Sequence, residues 1–144
     1  MSFDPGRYSP ASVSCILGAA IISGFGKDSM IEVTWDAEEF SDEVGADGEI
    51  CRVANAAAVH GMVKVTLLQS SASNDTMTAL LNTDVATGKG FVPFLLKAAP
   101  DRTLIASEKA WIKGKPSVKF SKGVEEREWT IRIINVAATI GGSV

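Results

Sequence analysis

Well-separated stretches of the chain alternate apolar and polar side chains with a period of two. In "MIEVTWD", Ile31, Val33 and Trp35 face one way, and Glu32, Thr34 and Asp36 the other. In "EREWTIRIINVAA", Trp129, Ile131 and Ile133 alternate with Glu128, Thr130 and Arg132, and Val63, Val65 and Leu67 share one face of "GMVKVTLL". A helix cannot gather such a set on one stripe, so these stretches require half-buried strands. "FVPFLLKA" and "TLIASEKAWIKG" read as further strands, and the apolar run from about Ser12 to Ser23 as a first one, ending in the turn "GFGKDS". One segment departs from the pattern. From about 73 to 86, Met77, Leu80, Leu81 and Asp84 recur at helical spacing, Ser71 or Ser73 can cap the start, and Asp75 suits the first turn. Gly88 and Gly90 end it. The expected architecture is mainly β, a mostly antiparallel domain with one α-helix.

At 144 residues and 46% hydrophobic content, the chain is long enough to bury a core and is expected to form one domain over 1–144. Residues 1–11 lack periodicity and contain Pro5, Gly6 and Pro10, so an extended N-terminal arm is expected, with Phe3 and Tyr8 able to anchor it. Trp35, Trp111 and Trp129 all lie in alternating segments, which assigns them to core packing. The run "CILGAAIISGF" is too short to span a bilayer, and its leader "MSFDPGRYSP" carries one positive charge, a poor signal-peptide start. A soluble protein made in the cytoplasm, without membrane insertion, is expected. Cys15 and Cys51 could form one disulfide, but two buried thiols in a reducing compartment fit better.

Charge is segregated along the chain. From Asp28 to Glu49 there are nine acids and no Lys or Arg; from Lys109 to Lys122 there are five lysines and no acid. The acidic stretch includes "SDEVGADGEICR", where Asp47-Gly48 is a hairpin signal. It fails as a calcium loop: counted from Asp42, the third and fifth positions are Val44 and Ala46. An adventitious cation site is the most these carboxylates offer, and solvation or interface contact describes them better than acid-base work. His60 is the sole histidine, it lies beside Gly61, and no Ser or Cys stands in a nucleophile motif. One His and two distant Cys cannot supply the usual zinc ligands. No catalytic, cofactor-binding or metal residue is therefore assigned, and no enzyme activity or cofactor is expected. The lysines around Trp111 and Phe120 look superficially like a nucleic-acid strip, yet a net charge of -3 gives no footprint for phosphate binding. Lysines on the exposed face of an edge strand, or a contact with an acidic neighbour, are the preferred readings.

From Ser12 to the C-terminus the chain resembles a family of bacteriophage tail tube proteins, of the kind found in contractile-tailed phages. The resemblance rests on "VGADGE" (44–49) followed by Arg52, "GMVKVTLLQSSASNDTMTALL" (61–81), "KAWIKGKPSVKFSK" (109–122), and "EEREWTIRI" (125–133) with a closing "GG". The resemblance implies a structural virion protein, an antiparallel β-sandwich or barrel-like subunit with one flanking α-helix, whose copies form hexameric rings. These rings stack into a hollow tube that conducts phage DNA at ejection without sequence-specific binding. Its implied partners are itself, the tail sheath protein, and baseplate and tail-terminator proteins, all in the phage tail. A secretion-tube or terminator subunit is the near alternative; a small β-barrel ligand-binding module is the distant one. The segment 36–55 corresponds to the family's long inter-subunit loop. Asp42, Glu43, Asp47, Glu49 and Arg52 on that loop are thus candidate contacts. Lys109, Lys113, Lys115, Lys119 and Lys122, or Phe3 and Tyr8 of the arm, are their counterparts in another copy. Each exposed ion pair would contribute only about 0–1 kcal/mol, so repetition along a tube has to multiply it.

Overall fold

The computed structural model describes residues 10–26, 30–98 and 102–141, so Phe3, Tyr8 and most of the expected arm lie outside the described residues. Pro10–Ser12 forms a 3-10 turn that leads into the first strand. The strands are β1 (Val13–Leu17), β2 (Ala20–Ile22), β3 (Ile31–Trp35), β4 (Phe40–Val44), β5 (Ile50–Ala54), β6 (Gly61–Leu68), β7 (Val92–Ala98), β8 (Leu104–Gly114), β9 (Glu126–Ile134) and β10 (Ala137–Thr139). Among the described residues a single α-helix, α1, runs from Ser73 to Thr87. The fold is mainly antiparallel β with one flanking helix, as the alternation requires.

Seven strands follow the order β2, β1, β7, β8, β9, β6, β3, and β4 with β5 makes a separate two-stranded sheet. One edge of β8 pairs with β7, and the strand is long enough for its other edge to serve two partners. Leu104–Ala106 pairs with β10, and Lys109–Gly114 pairs with β9, with a register shift between Ile112 and Gly114. The ends of the sheet approach each other. The chain leaving β2 crosses to β6, where Phe25 bridges Leu67 and the Gly26 N–H donates to the Thr66 carbonyl at 2.8 Å. The result is barrel-like.

The inward face holds the core. Val63, Val65 and Leu67 of β6, Trp129, Ile131 and Ile133 of β9, Ala110 and Ile112 of β8, and Phe94 of β7 are buried there. Cys15 and Leu17 of β1 join them, and Met77 and Leu81 of α1 cover the cluster. The helix is tied down by one buried polar bond: Trp129 Nε1–H donates to Asn74 Oδ1 at 3.0 Å, while Asn74 Nδ2 donates to the Leu68 and Ser71 carbonyls. At the other end Gly88 adopts left-handed dihedrals and its N–H returns to the Asp84 carbonyl, which stops the helix.

Several sequence expectations change. The run Ser12–Ser23 is not one strand but a tight hairpin, β1 and β2, turned at Gly18, whose φ of 65° suits a residue without Cβ. Ala72, with helical dihedrals and no side-chain bond, takes the helix N-cap position; Ser71 Oγ accepts the Ser73 N–H at 3.2 Å instead. Trp111 lies on the sheet face opposite Ala110 and Ile112. There it packs edge-on to Phe91 with centroids 5.5 Å apart, because its place in the alternation belongs to the outer face. Both cysteines are free thiols, but only Cys15 is buried. Burial pushes the Cys15 thiol up to about 12, whereas Cys51 is open to solvent. A chromogenic disulfide reagent is therefore expected to titrate one fast thiol in the folded chain and the second only after denaturation. Two fast thiols would contradict this packing.

Candidate functional site

Residues 40–54 fold as a hairpin without a core. β4 and β5 pair in register from Phe40 opposite Ala54 to Val44 opposite Ile50, with a loop at 45–49. Gly48, at φ 88°, provides the turn that Asp47-Gly48 signals, and Asp47 Oδ1 accepts the Glu49 N–H at 3.2 Å. Every residue of both strands is exposed. The root, by contrast, is pinned. Asn55 Nδ2 donates to the Glu38 carbonyl and to Ser41 Oγ, and Arg132 of β9 holds Asp36 through contacts of 2.7 and 2.8 Å. The expected long loop 36–55 is thus an ordered projection with a fixed base and a bare tip.

Its composition is unusual for a bare surface. Phe40, Val44, Ile50 and Val53 are all exposed, Val44 and Ile50 at 67% and 68%. A two-stranded hairpin is marginal in water unless a face is covered, and exposed β-branched residues at its tip mark a surface made for contact. Asp42 lies opposite Arg52 in the ladder, and the Arg52 guanidinium sits 4.3 Å above the Phe40 ring. Asp42, Glu43, Asp47 and Glu49 form no ion pair with any lysine among the described residues.

The lysines divide into two groups. Lys109 and Lys113 lie on β8, where Lys113 Nζ approaches the Met62 sulfur at 3.7 Å. Lys115, Lys119 and Lys122 lie on the loop between β8 and β9, and all are exposed. The edge-strand reading of these lysines therefore fails twice. β8 is central in the sheet, and Gly114, Pro116 and Gly123 help keep 115–123 out of any ladder. The same loop exposes Val118, Phe120 and Val124, and Arg127 is 6.0 Å from the Phe120 ring centroid. Sequence reasoning singled out the charges at both places and missed the apolar side chains between them. The available signal was an apolar residue next to a turn glycine, with no partner strand in register to cover it.

His60 is half-buried, and its Nδ1 accepts the Asn135 N–H at 3.3 Å, a structural bond. A cavity of about 670 Å³ opens where β8 changes partners, lined by Phe94, Leu95, Ser107, Lys109 and Ile134 among others. The Ser107 hydroxyl there lies within hydrogen-bond distance of the Lys109 and Ile134 carbonyls and is occupied by them. Among the described residues no group of three or more His, Cys, Asp or Glu side chains is placed to hold a metal, and no helix is long and apolar enough to cross a membrane.

Residues 9–141 match a family described as the bacteriophage PhiTE tail tube protein. The chain belongs to that family. A curated relative, structural protein ORF10 of Pseudomonas phage KPP10, is 31% identical, with 94% of this chain and 83% of the relative aligned. Among solved structures, the tube-terminating cap of the anti-feeding prophage superimposes with a TM-score of 0.62 at 11% identity, covering 97% of each chain. The sheath-tube complex of an extracellular contractile injection system in its extended state gives 0.58 at 9% identity, covering 93% of this chain and 92% of that one. The sheath/tube terminator of the same system gives 0.56 at 10%, covering 92% and 96%. At such identities these likenesses establish the fold alone. This member of the tail tube family is a viral structural protein.

Proposed function

We propose that this tail tube family member is the self-assembling subunit of an inner phage tail tube. Copies close into hexameric rings, the rings stack, and the lumen conducts the genome during ejection; a sheath surrounds the tube, and baseplate and terminator proteins finish its ends. The role is structural and places the protein in the virion, after synthesis in the host cytoplasm. The observation that carries the reading is the hairpin 40–54, an ordered projection with exposed valine and isoleucine at its tip and no core of its own. A side chain so placed is stable in water only at a cost that contact with another copy removes.

A second observation supports it. β3 pairs with β6 along one edge, and among the described residues its other edge has no strand beside it. Neighbours in a closed ring remove such edges, whereas an isolated subunit leaves them open to aggregation. The chain's mild acidity suits a conduit, since a strongly basic lining would hold phosphates. The cavity at β8 gives little support to a ligand-binding module, because its hydroxyl is already satisfied by the backbone. Sedimentation and negative-stain microscopy of the purified protein test the proposal. Rings or tubes are expected; a folded monomer that persists at high concentration would overturn it.

A further inference from the structure

Strands β4 and β5 pair only with each other, so no barrel strand holds the hairpin 40–54 in place. Its direction depends on the two legs, 36–39 and 55–60, that join it to β3 and β6. Asn55 ties the legs together: its N–H donates to the Glu39 carbonyl at 2.9 Å and its Nδ2 to the Glu38 carbonyl at 2.8 Å. Among the described residues, the bonds that fix both legs to the barrel converge on the end of β9. Arg132 Nη1 lies 2.7 and 2.8 Å from the two carboxylate oxygens of Asp36 in the first leg. From the turn after β9, the Asn135 N–H donates to His60 Nδ1 at 3.3 Å and the Val136 N–H to the Val59 carbonyl at 2.9 Å, both in the second leg.

The seat is itself immobilised. Its turn joins two strands that both pair with β8, β9 through Lys109–Gly114 and β10 through Leu104–Ala106. Between those pairings the buried Ser107 hydroxyl lies 2.6 Å from the Ile134 carbonyl and 2.9 Å from that of Lys109. Asn135, with a φ of 48°, is the one non-glycine of positive φ among the described residues, a backbone state that persists only where its surroundings impose it. From this convergence we infer that Arg132 and the Asn135–Val136 turn are positioning residues that set the angle at which the hairpin leaves the barrel. The bonds on the second leg alone would act as a hinge, and the Asp36–Arg132 ion pair on the first leg stops rotation about it. Those two side chains are 23% and 27% exposed, partly shielded from water and salt. A coreless hairpin already aimed in one direction loses less orientational freedom when a surface closes on it. That consequence rests on the tube reading; the angle itself does not.

Distances between two spin labels test the angle in dilute protein. The exposed Cys51 takes one label, the buried Cys15 takes none, and Glu128→Cys at an exposed position of β9 takes the other. A single narrow distance is expected. Asp36→Ala and Arg132→Met are each expected to widen the distribution at least about twofold at unchanged circular dichroism, and the exchanged pair Asp36→Arg/Arg132→Asp to narrow it again. Unchanged widths in both single variants, or an exchanged pair as wide as they are, would overturn the inference. Without the second label, each single variant is expected to give at least about threefold less tube than wild type, and the exchanged pair to recover it. Tubes at the wild-type level from a variant whose hairpin splays would show that assembly makes no use of the angle. Wild-type protein that forms no tubes would remove the tube reading instead, and the distances would still decide the angle.

Discussion

A Val44→Asp/Ile50→Asp double variant is expected to abolish tube formation while leaving the subunit as stable as wild type. Both side chains are about two-thirds exposed in the subunit, and substitutions at such positions usually change stability by no more than about 0.5 kcal/mol. In an assembled contact each would be buried, and removing a buried valine or isoleucine forfeits about 1.5–3 kcal/mol. Two of them remove roughly 3–6 kcal/mol per contact, which raises the concentration needed for growth by at least about a hundredfold. Placing a new carboxylate in the contact adds a further penalty. Sedimentation would show the loss, and a denaturant melt would show the intact fold. Tubes of normal length from the double variant would mean that the hairpin tip is not buried on assembly.

The largest effect on stability is expected at Trp129. It is 3% exposed, lies among Val65, Ile131 and the helix, and donates the buried hydrogen bond to Asn74. Trp129→Ala should cost about 3–5 kcal/mol through the void it leaves. Trp129→Phe keeps most of the ring and should cost about 1–3 kcal/mol, largely because Asn74 Oδ1 loses its donor inside the fold. Urea midpoints of the two variants check the order and the size. A shift in Trp129→Ala no larger than that in Trp129→Phe would show that the core collapses around the site. Trp35 offers a contrast: it is half-buried at the rim, beside Gly61, and truncating it should cost less.

What could be read in the chain beforehand follows from the range of the forces involved. The alternation of Trp129, Ile131 and Ile133 is local, and so is the pattern of Met77 and Leu81 closed by Gly88. The strands β6, β9 and the helix were therefore legible. The break at Gly18 was not, because Gly and Ala inside an apolar run carry no polar signal, and the turn shows only when β1 finds β7 beside it. Neighbours decide whether a strand is central. The lysines of β8 look like edge protection until β7, β9 and β10 are placed around it. Trp111 and Cys51 failed for one shared reason: residue type suggests burial, but side-chain direction and the absence of a covering layer decide it. The acidic stretch was legible as a hairpin from Asp47-Gly48. Its exposed apolar residues acquired meaning only when both strands proved to have no sheet beneath them.

The seam that closes the barrel has a consequence of its own. Between β2 and the bridge at Phe25, the backbone of Ser23 meets no strand; its N–H donates to Ser73 Oγ at 3.0 Å and its carbonyl accepts from Ser71 Oγ at 2.6 Å. Two hydroxyls at the helix start thus stand in for a missing ladder. Hydroxyl rotors release one at a time, whereas a ladder yields only as a block. Under mechanical load the wall would part first at this rivet, the 20–26 segment lifting from the helix start while α1 stays held on β9 through Trp129 and Asn74.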